Sequence, residues 1–312
     1  MKVLKEYLIG TGGWAYFQIP GMNPLVAYSR AFNFVEVNTT FYEIPKIKEV
    51  EKWRKLVPDD FQFSVRAHRS ITHKNKLAPT EESLEAFERM KQICNILKGE
   101  ILHLQTPPTL KITRETVASL QSLIGSVNLG KLRLALEIRS EQQPPLELVR
   151  LMQDNGIVHC VDLSKGEKPA YDADILYTRL FGKGKHNIYQ PTDEELAEID
   201  NRVLFSKAEK ASVCIHFMRM YKDAARLKVY KRTEKFPPIT RSTGLMSLEE
   251  VLSEDATFPS TKQELIENQG WKLFDQTKEE RTHATSILQM LPERTYKSVD
   301  DIISTLKPIM RT

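Results

Sequence analysis

The sequence predicts an α/β fold in which a (β/α)8 barrel of the TIM-barrel type is followed by a small C-terminal helical domain. Eight short apolar runs alternate with amphipathic segments, a pattern typical of a parallel sheet. Eight such units before Gly244 match the usual barrel size of roughly 250 residues. The structural alternative is a doubly wound open sheet. No Gly-x-Gly-x-x-Gly sequence follows the first run, which argues against dinucleotide binding.

The apolar runs give the predicted strands, and the amphipathic segments give the predicted helices. The strands are Tyr7–Gly12, Phe34–Thr40, Phe61–Ala67, Glu100–Gln105, Leu132–Arg139, Ile157–Asp162, Asp174–Phe181 and Ser212–Phe217. The clearest helices are Glu81–Lys98, Arg114–Ser126, Leu146–Asn155 and Asp193–Lys210. Thr80 and Thr192 each precede acidic residues, a pattern that indicates a helix N-terminus.

The character of the chain changes after Gly244. We expect a barrel domain over residues 1–236, a linker over residues 237–247 and a small acidic helical domain over residues 248–312. Residues 1–244 contain 37 Lys and Arg against 29 Asp and Glu, whereas residues 245–312 contain 8 against 12. This asymmetry favours an anionic partner for the barrel and docking of the acidic domain on it, although ordinary surface variation produces the same counts.

The cysteine pattern and the hydropathy favour a cytoplasmic protein without a membrane segment. Cys94, Cys160 and Cys214 are far apart and form no metal-type pair, as expected of buried thiols in a reducing compartment. The charged N-terminus lacks the apolar core of a signal peptide, and no apolar run is long enough to span a bilayer.

Polar side chains recur at the C-terminal ends of the predicted strands, where a barrel carries its active site. Because strand side chains alternate between two faces, residues two apart point the same way. Burying such groups without partners is costly, so their recurrence predicts a ligand site. The candidate residues are Glu36, Asn38, Arg66, Gln105, Glu137, Arg139, Asp162, Tyr177 and Arg179, with His73 in the loop after the third strand.

The acidic members of this set fit two kinds of site. Glu36, Glu137 and Asp162 can bind a divalent metal, with His73 as a nitrogen ligand. The same carboxylates can instead lie in a buried ion-pair network with neighbouring arginines, which is a purely structural role.

The basic members fit an anion site. Arg66, Arg139 and Arg179 carry planar guanidinium groups that match a phosphate or a carboxylate. Trp14, which follows a glycine-rich turn, can join Phe41 and Tyr42 in a stacking wall for a base or a sugar; packing at the barrel rim is the alternative.

A basic stripe with interleaved tyrosines follows the eighth strand. Such a stripe can follow a nucleic-acid backbone, and a solvated helix face is the alternative. Its cationic residues are Arg219, Lys222, Arg226, Lys228, Lys231, Arg232 and Lys235.

In combination, these motifs resemble the domain-of-unknown-function 72 family, also called YecE-like. The matching stretches, spread over roughly residues 8–230, are Gly10–Trp14, Val35–Tyr42, Trp53 with Val57-Pro58, Phe61–His73, Leu104–Pro108, Leu136–Arg139, Asp162 and Tyr177–Arg179. The resemblance implies a TIM-barrel-like fold, similar to the endonuclease-IV and xylose-isomerase type, and no settled activity.

The chain departs from that family pattern at several positions. Gly12 stands where a serine is usual, Arg66 where a lysine is usual, and Phe181 where a histidine is usual. The C-terminal region resembles a second family, the domain-of-unknown-function 2795 type, through Phe258–Ile266 and Leu291–Tyr296.

The leading functional hypothesis is an enzyme that hydrolyses a phosphate-containing substrate, either a nucleotide or a nucleic acid. Glu36 or Glu137 serves as general base or metal ligand, Asp162 as an orienting group or ligand, and His73 as an acid or ligand. A non-catalytic protein that binds an anion or nucleic acid is one alternative. A metal-dependent sugar isomerase or epimerase with paired carboxylates is another.

Overall fold

The computed structural model describes residues 4–140 and 143–310, which form two compact units. The first unit comprises the described residues up to Leu180 together with Asn201–His216. The second comprises Phe181–Asp200 and the described residues from Phe217 onward. The first three residues of the charged N-terminus lie outside the described residues, and the domain boundaries drawn from the sequence stay a prediction.

A parallel sheet of eight strands forms the centre of the first unit, within the described part of the chain. The strands are β1 (Glu6–Thr11), β2 (Phe34–Val37), β3 (Gln62–Arg66), β4 (Ile101–Gln105), β5 (Arg133–Glu137), β6 (Val158–Cys160), β7 (Ile175–Leu180) and β8 (Lys210–Ile215). They pair in the order β6-β5-β4-β3-β2-β1-β8-β7, and a bridge between Val161 and Thr178 joins the two edges. The predicted barrel and its eight strands are confirmed, but the predicted end of the second strand at Thr40 is wrong, because β2 ends at Val37 and a 3₁₀ turn covers Thr39–Phe41.

Helices follow most of the strands. They are α1 (Pro24–Ala31), α2 (Ile47–Lys55), α3 (Glu81–Leu97), α4 (Arg114–Gly125), α5 (Leu146–Asp154), α6 (Asp193–Leu204) and α7 (Met220–Thr233). Thr80 Oγ1 accepts the Ser83 backbone N–H at the start of α3, which confirms the predicted N-terminus there. Thr192 and Glu195 satisfy each other's backbone N–H groups at 3.3 and 3.0 Å, as a capping box does.

The prediction of a helix over Asp193–Lys210 is wrong at its C-terminal end. Helix α6 ends at Leu204, and the Ser206 hydroxyl donates a hydrogen bond of 2.7 Å to the Val203 carbonyl there. Lys210 instead begins β8, where its ammonium lies 3.0 Å from Glu6 and 2.7 Å from Glu100. The long aliphatic stem and charged tip of lysine suit a strand end as well as a helix, so its sequence pattern did not separate the two.

No α-helix connects β6 to β7 in the described residues. A 3₁₀ turn over Leu163–Lys165 and a loop over residues 166–174 make this connection. The outer face of the barrel between these two strands therefore lacks the helix that covers most other strand pairs.

The second unit has its own apolar core, from residues such as Leu248, Leu265, Phe274, Leu288 and Tyr296. The helices after α7 are α8 (Leu245–Leu252), α9 (Lys262–Gln269), α10 (Thr285–Leu288) and α11 (Val299–Ile309). Two short antiparallel ladders pair β9 (Ser260–Thr261) with β12 (Thr295–Tyr296) and β10 (Leu273–Asp275) with β11 (Arg281–His283). Strands of two or three residues are too short to show an alternating pattern, so the sequence indicated only the helices.

The barrel interior is layered from bottom to top. Apolar side chains fill its middle, among them Leu8, Phe34, Ala135, Val158 and Ile175. Each strand then presents its next inward side chain nearer the C-terminal end, because inward positions recur every second residue. These upper inward positions include Glu36, Arg66, His103, Gln105, Glu137, Tyr177 and Arg179.

Within residues 4–140 and 143–310, no helix combines the length and the apolar character needed to cross a bilayer.

Tyr28 of α1 joins β1 to β2 beneath this polar layer. The Thr11 backbone N–H and hydroxyl donate to Tyr28 Oη at 2.9 and 3.1 Å, and Tyr28 Oη donates to the Phe34 carbonyl at 2.8 Å. The strands pair in register only at Gly10 with Phe34 and Thr11 with Val35, so the phenol adds to a short ladder.

We expect Tyr28→Phe to lower the free energy of unfolding by about 1–3 kcal/mol, because it leaves buried backbone groups without a partner. Urea unfolding followed by circular dichroism measures this loss. Tyr16→Phe is the matched control, since Tyr16 is 83% exposed. Equal unfolding midpoints for the two variants would contradict the role of the phenol.

Candidate active site

A buried guanidinium joins two carboxylates at the top of the barrel. Arg179 of β7 donates from Nη1 to Glu137 Oε2 at 2.6 Å and from Nη2 to Glu36 Oε1 at 3.0 Å. Glu36 comes from β2 and Glu137 from β5, and all three side chains are buried. Two negative charges therefore share one positive charge, each within hydrogen-bond distance.

The second oxygen of Glu36 is also occupied. Tyr177 Oη donates to Glu36 Oε2 at 2.7 Å, and Ser64 Oγ lies 2.8 Å from the same phenol. Burial by itself would raise the pKa of Glu36, but Arg179 and His216 outweigh it and hold that pKa well below its usual value. Burial raises the pKa of Tyr177, so the phenol stays protonated as a donor.

Glu137 has a comparable environment nearer the mouth. Gln105 Nε2 donates to Glu137 Oε1 at 2.7 Å, and Arg139 Nε lies 3.7 Å from the same oxygen. Burial opposes ionisation here too, but Arg179, His103 and Gln105 hold the pKa of Glu137 far below its usual range. Both carboxylates are therefore ionised at neutral pH.

Two histidines that the sequence reasoning missed complete the cluster. His103 Nε2 lies 3.1 Å from Glu137 Oε2, and His216 Nε2 lies 3.4 Å from Glu36 Oε1. Burial and Arg179 lower the pKa of both, that of His216 to about 4, so both imidazoles are neutral. His103 precedes Gln105 by two residues on one strand, so strand alternation alone places it on the inward face.

Arg66 of β3 lies in the layer above the ion pairs. Its Nη1 donates to Asn38 Oδ1 at 2.9 Å, and its Nη2 donates to Gln105 Oε1. The guanidinium carbon lies 3.7 Å from the centre of the Phe41 ring, a cation–π contact. The partners of this cation are thus two neutral amides and an aromatic ring.

His73 lies beside this cation, on a π-type turn over Ser70–Lys74. Its ring meets the Phe41 ring edge-on at 4.8 Å, and its Nδ1 lies 2.9 Å from Thr72 Oγ1. Burial and the charges of Arg66 and Arg139 lower the pKa of His73, so the ring is neutral at pH 7. Phe41, Arg66 and His73 are therefore brought together as predicted for a mouth site.

The predicted aromatic wall is only partly assembled. Tyr42 meets Phe41 at 5.0 Å between ring centres and is 65% exposed. Trp14 instead packs edge-on against Trp53 at 5.3 Å and against Phe63 at 6.5 Å. Because Phe63 alternates with the inward residues of β3, Trp14 lies with outward-facing side chains, away from the other two aromatic residues.

Asp162 follows β6 and shapes the loop after it. Its carboxylate accepts the Ser164 backbone N–H at 2.9 Å and caps the 3₁₀ turn over Leu163–Lys165. Lys165 Nζ lies 3.9 Å from the same side chain. This capping role is a local one, available from the sequence pattern Asp-x-Ser after a strand.

Comparisons with known proteins agree with this architecture. Residues 8–237 match the family described as "Protein of unknown function DUF72". The chain belongs to the DUF72 family. It is 28% identical over 206 residues to UPF0759 protein YunF of Bacillus subtilis (strain 168), covering 59% of this chain and 72% of that protein. Over 67 residues it is 37% identical to UPF0759 protein YecE of Escherichia coli (strain K12), covering 22% of this chain and 25% of that protein.

A solved DUF72 structure has the same fold. The crystal structure of a DUF72 family protein from Enterococcus faecalis V583, at 2.52 Å resolution, matches with a TM-score of 0.58 and 22% identity. The match covers 74% of this chain and 98% of that chain. The resemblance drawn from the sequence motifs is thereby confirmed for the barrel, and the likeness of the C-terminal region to a second family stays a prediction.

The metal set predicted from the sequence is not assembled in this DUF72 barrel. Potential ligand groups in the described residues are Glu36 with Cys214 and His216, and Glu137 with His103 and Cys160. Neither group contains Asp162 or His73.

The donor groups that do come together also do not fit a divalent cation. Arg179 already lies within 3.0 Å of both carboxylates, so a second cation there would meet direct repulsion. Burial raises the pKa of Cys160 and of Cys214, which disfavours the thiolate form that binds a metal.

Most of the basic stripe after β8 is engaged in ion pairs inside the second unit. Lys222 lies 2.8 Å from Glu254, which also pairs with Arg219. Arg226 is buried between Asp193 and Asp223, and Lys231 lies 3.5 Å from Asp200. These contacts compensate much of the charge that suggested nucleic-acid binding, and the nucleic-acid partner stays a prediction.

We expect Arg179→Met to lower the free energy of unfolding at pH 8 by roughly 3–5 kcal/mol, because it leaves two carboxylates buried without their cation. Without Arg179, burial raises both carboxyl pKa values, so the deficit should shrink as the pH falls towards 5. In the native protein the two pKa values are depressed, so the cluster stabilises the fold above about pH 4.5 and loses that effect below it.

Urea unfolding at pH 5 and pH 8 measures both effects. Arg133→Met is the control, because Arg133 pairs with Asp174 at 2.9 Å in a partly exposed position. Such a pair should contribute about 1 kcal/mol or less. A deficit for Arg179→Met that does not change with pH would contradict the assignment of the carboxylates as its cause.

Proposed function

We propose that this protein binds a phosphate-bearing substrate at the C-terminal mouth of the barrel and hydrolyses it. The observation that supports the proposal is the state of Arg66. This residue is 9% exposed, its hydrogen bonds go to the neutral side chains of Asn38 and Gln105, and it forms no ion pair within the described residues. Its buried Nε has no hydrogen-bond partner there. The nearest carboxylates, Glu36 and Glu137, influence the charge of Arg66 but bind Arg179 directly, so Arg66 itself has no direct contact with an anion.

Phosphate is the anion that best suits the surrounding groups. Arg139, whose side chain is 42% exposed, adds a second guanidinium near the mouth. The charges of Arg66 and Arg139 both lower the pKa of His73, so these three groups share one electrostatic environment. Guanidinium groups recognise phosphate oxygens through paired N–H donors, and two of them can balance a dianion.

His73 is the group best placed to move the proton in hydrolysis. The neutral imidazole can accept a proton from an attacking water as the new P–O bond forms. The P–O bond to the leaving group then breaks, and the charge on its oxygen is stabilised by Arg66 and Arg139. Glu36 and Glu137 serve here as positioning residues, because their depressed pKa values make them weak proton acceptors.

We expect Arg66→Gln to weaken the binding of inorganic phosphate by at least about tenfold, because it removes the guanidinium charge and its paired donors while keeping a polar side chain. Isothermal titration calorimetry measures the affinity. The control is Arg114→Gln, since the Arg114 side chain is 90% exposed. Phosphate binding of equal strength in both variants would place the anion site elsewhere.

We expect His73→Ala to lower kcat for a phosphate ester by about 10²–10⁴-fold while phosphate binding persists. The substrates are p-nitrophenyl phosphate and bis(p-nitrophenyl) phosphate. Each is assayed with and without a chelator, and the chelator should change the rate little. In the native protein kcat/KM should fall to half at a pH below about 6.5, because the pKa of His73 is lowered. Phosphate binding without turnover of either ester would favour the alternative, a non-catalytic anion-binding protein.

A further inference from the structure

A second cavity lies on the side of the barrel, apart from the mouth. It has a volume of about 400 Å³ and opens where the loop over residues 166–174 replaces a helix between β6 and β7. The segment over residues 202–208 forms its other wall. None of the mouth residues lines it, so it is a separate site on the same unit.

The walls of this cavity are largely apolar. Leu163, Ile175 and Leu176 line it, together with Phe205, whose side chain is 79% exposed. An apolar surface of this kind gains free energy when a hydrocarbon or aromatic group covers it, about 25 cal/mol per Å² of area removed from water. The cavity also has the size of a small-molecule site.

A buried histidine supplies a directed hydrogen-bond donor. His159 is 8% exposed, and its Nδ1 accepts the Ala170 backbone N–H at 3.0 Å. Burial lowers the pKa of His159 to about 4, so the ring is neutral. With Nδ1 as an acceptor, the proton is on Nε2, and this N–H has no partner among the described residues while the ring lines the cavity.

Three cationic residues line the cavity, namely Lys168, Lys207 and Arg202. Lys168 lines it, is exposed and takes part in no ion pair within the described residues. Lys207 is paired with Asp172 at 2.6 Å, and Glu167 accepts the Asp162 backbone N–H at 2.7 Å. The acidic groups of the cavity are thus engaged, whereas the Lys168 ammonium and the Nε2–H of His159 remain for a ligand.

We propose that this lateral cavity binds a small amphipathic carboxylic acid. Its carboxylate accepts the His159 Nε2–H and is attracted by Lys168, and its hydrocarbon body covers Leu163, Ile175 and Phe205. An imidazole N–H and an ammonium beside a largely apolar wall suit a carboxylate that carries an apolar body, whereas phosphate offers no apolar surface to cover that wall.

Octanoate and the neutral octanol, both below the concentrations at which they aggregate, are the probes. We expect octanoate to bind the full-length protein at one site, observed by calorimetry and by ligand-detected NMR, and to bind at least about tenfold more tightly than octanol. Lys168→Glu and His159→Phe should each weaken octanoate binding by tenfold or more. Lys111→Glu, an exposed lysine away from the cavity, is the matched control.

The outcomes separate this site from the mouth. Arg66→Gln should leave octanoate affinity unchanged, and Lys168→Glu should leave phosphate affinity unchanged. Absence of octanoate binding at millimolar concentration, equal binding of octanol, or unchanged affinity in Lys168→Glu would each overturn the proposal. Because Lys168 is exposed, its variant tests the site even where His159→Phe fails to fold.

Discussion

The upper half of this barrel depends on the guanidinium of Arg179. Its two terminal nitrogens bind Glu36 and Glu137, which lie on separate strands, β2 and β5, and both face the inside of the barrel. Tyr177 and Gln105 complete the hydrogen bonding of the two carboxylates. A buried network of this kind loses much of its Coulombic gain to desolvation, so aliphatic side chains would close the barrel as well. Its position above an apolar layer therefore favours a role in the site rather than in stability.

Gln105 links this ion-pair network to Arg66, which lies nearer the mouth of the barrel. Its amide nitrogen donates to Glu137, and its amide oxygen accepts from Arg66. A neutral residue thus fixes the position of a second arginine without neutralising it. Phe41 holds the opposite side of that guanidinium and also contacts His73. These contacts fix the position of the Arg66 guanidinium, which lowers the entropic cost of binding an anion there.

Sequence reasoning predicts this arrangement as far as local periodicity reaches. Strand alternation places Glu36, Glu137 and Arg179 on the inward face, and the structure brings them together. Periodicity does not say which charges pair across the barrel, because partners such as Glu137 and Arg179 come together only when the sheet closes between β6 and β7. It also does not separate Asp162, which caps a local turn, from residues that face the cluster. The short ladders of the second unit are missed for a related reason, since strands of two or three residues show no period.

Gly12, one of the departures from the family pattern, lies directly against the ring of His216. A Cβ atom at this position would lie 2.1 Å from His216 Cε1, a distance that no side chain tolerates. The imidazole therefore reaches Glu36 only because position 12 has no side chain. A serine there, as the family resemblance leads one to expect, would require the ring of His216 to lie elsewhere. The position of the His216 ring against Glu36 therefore depends on the glycine at position 12.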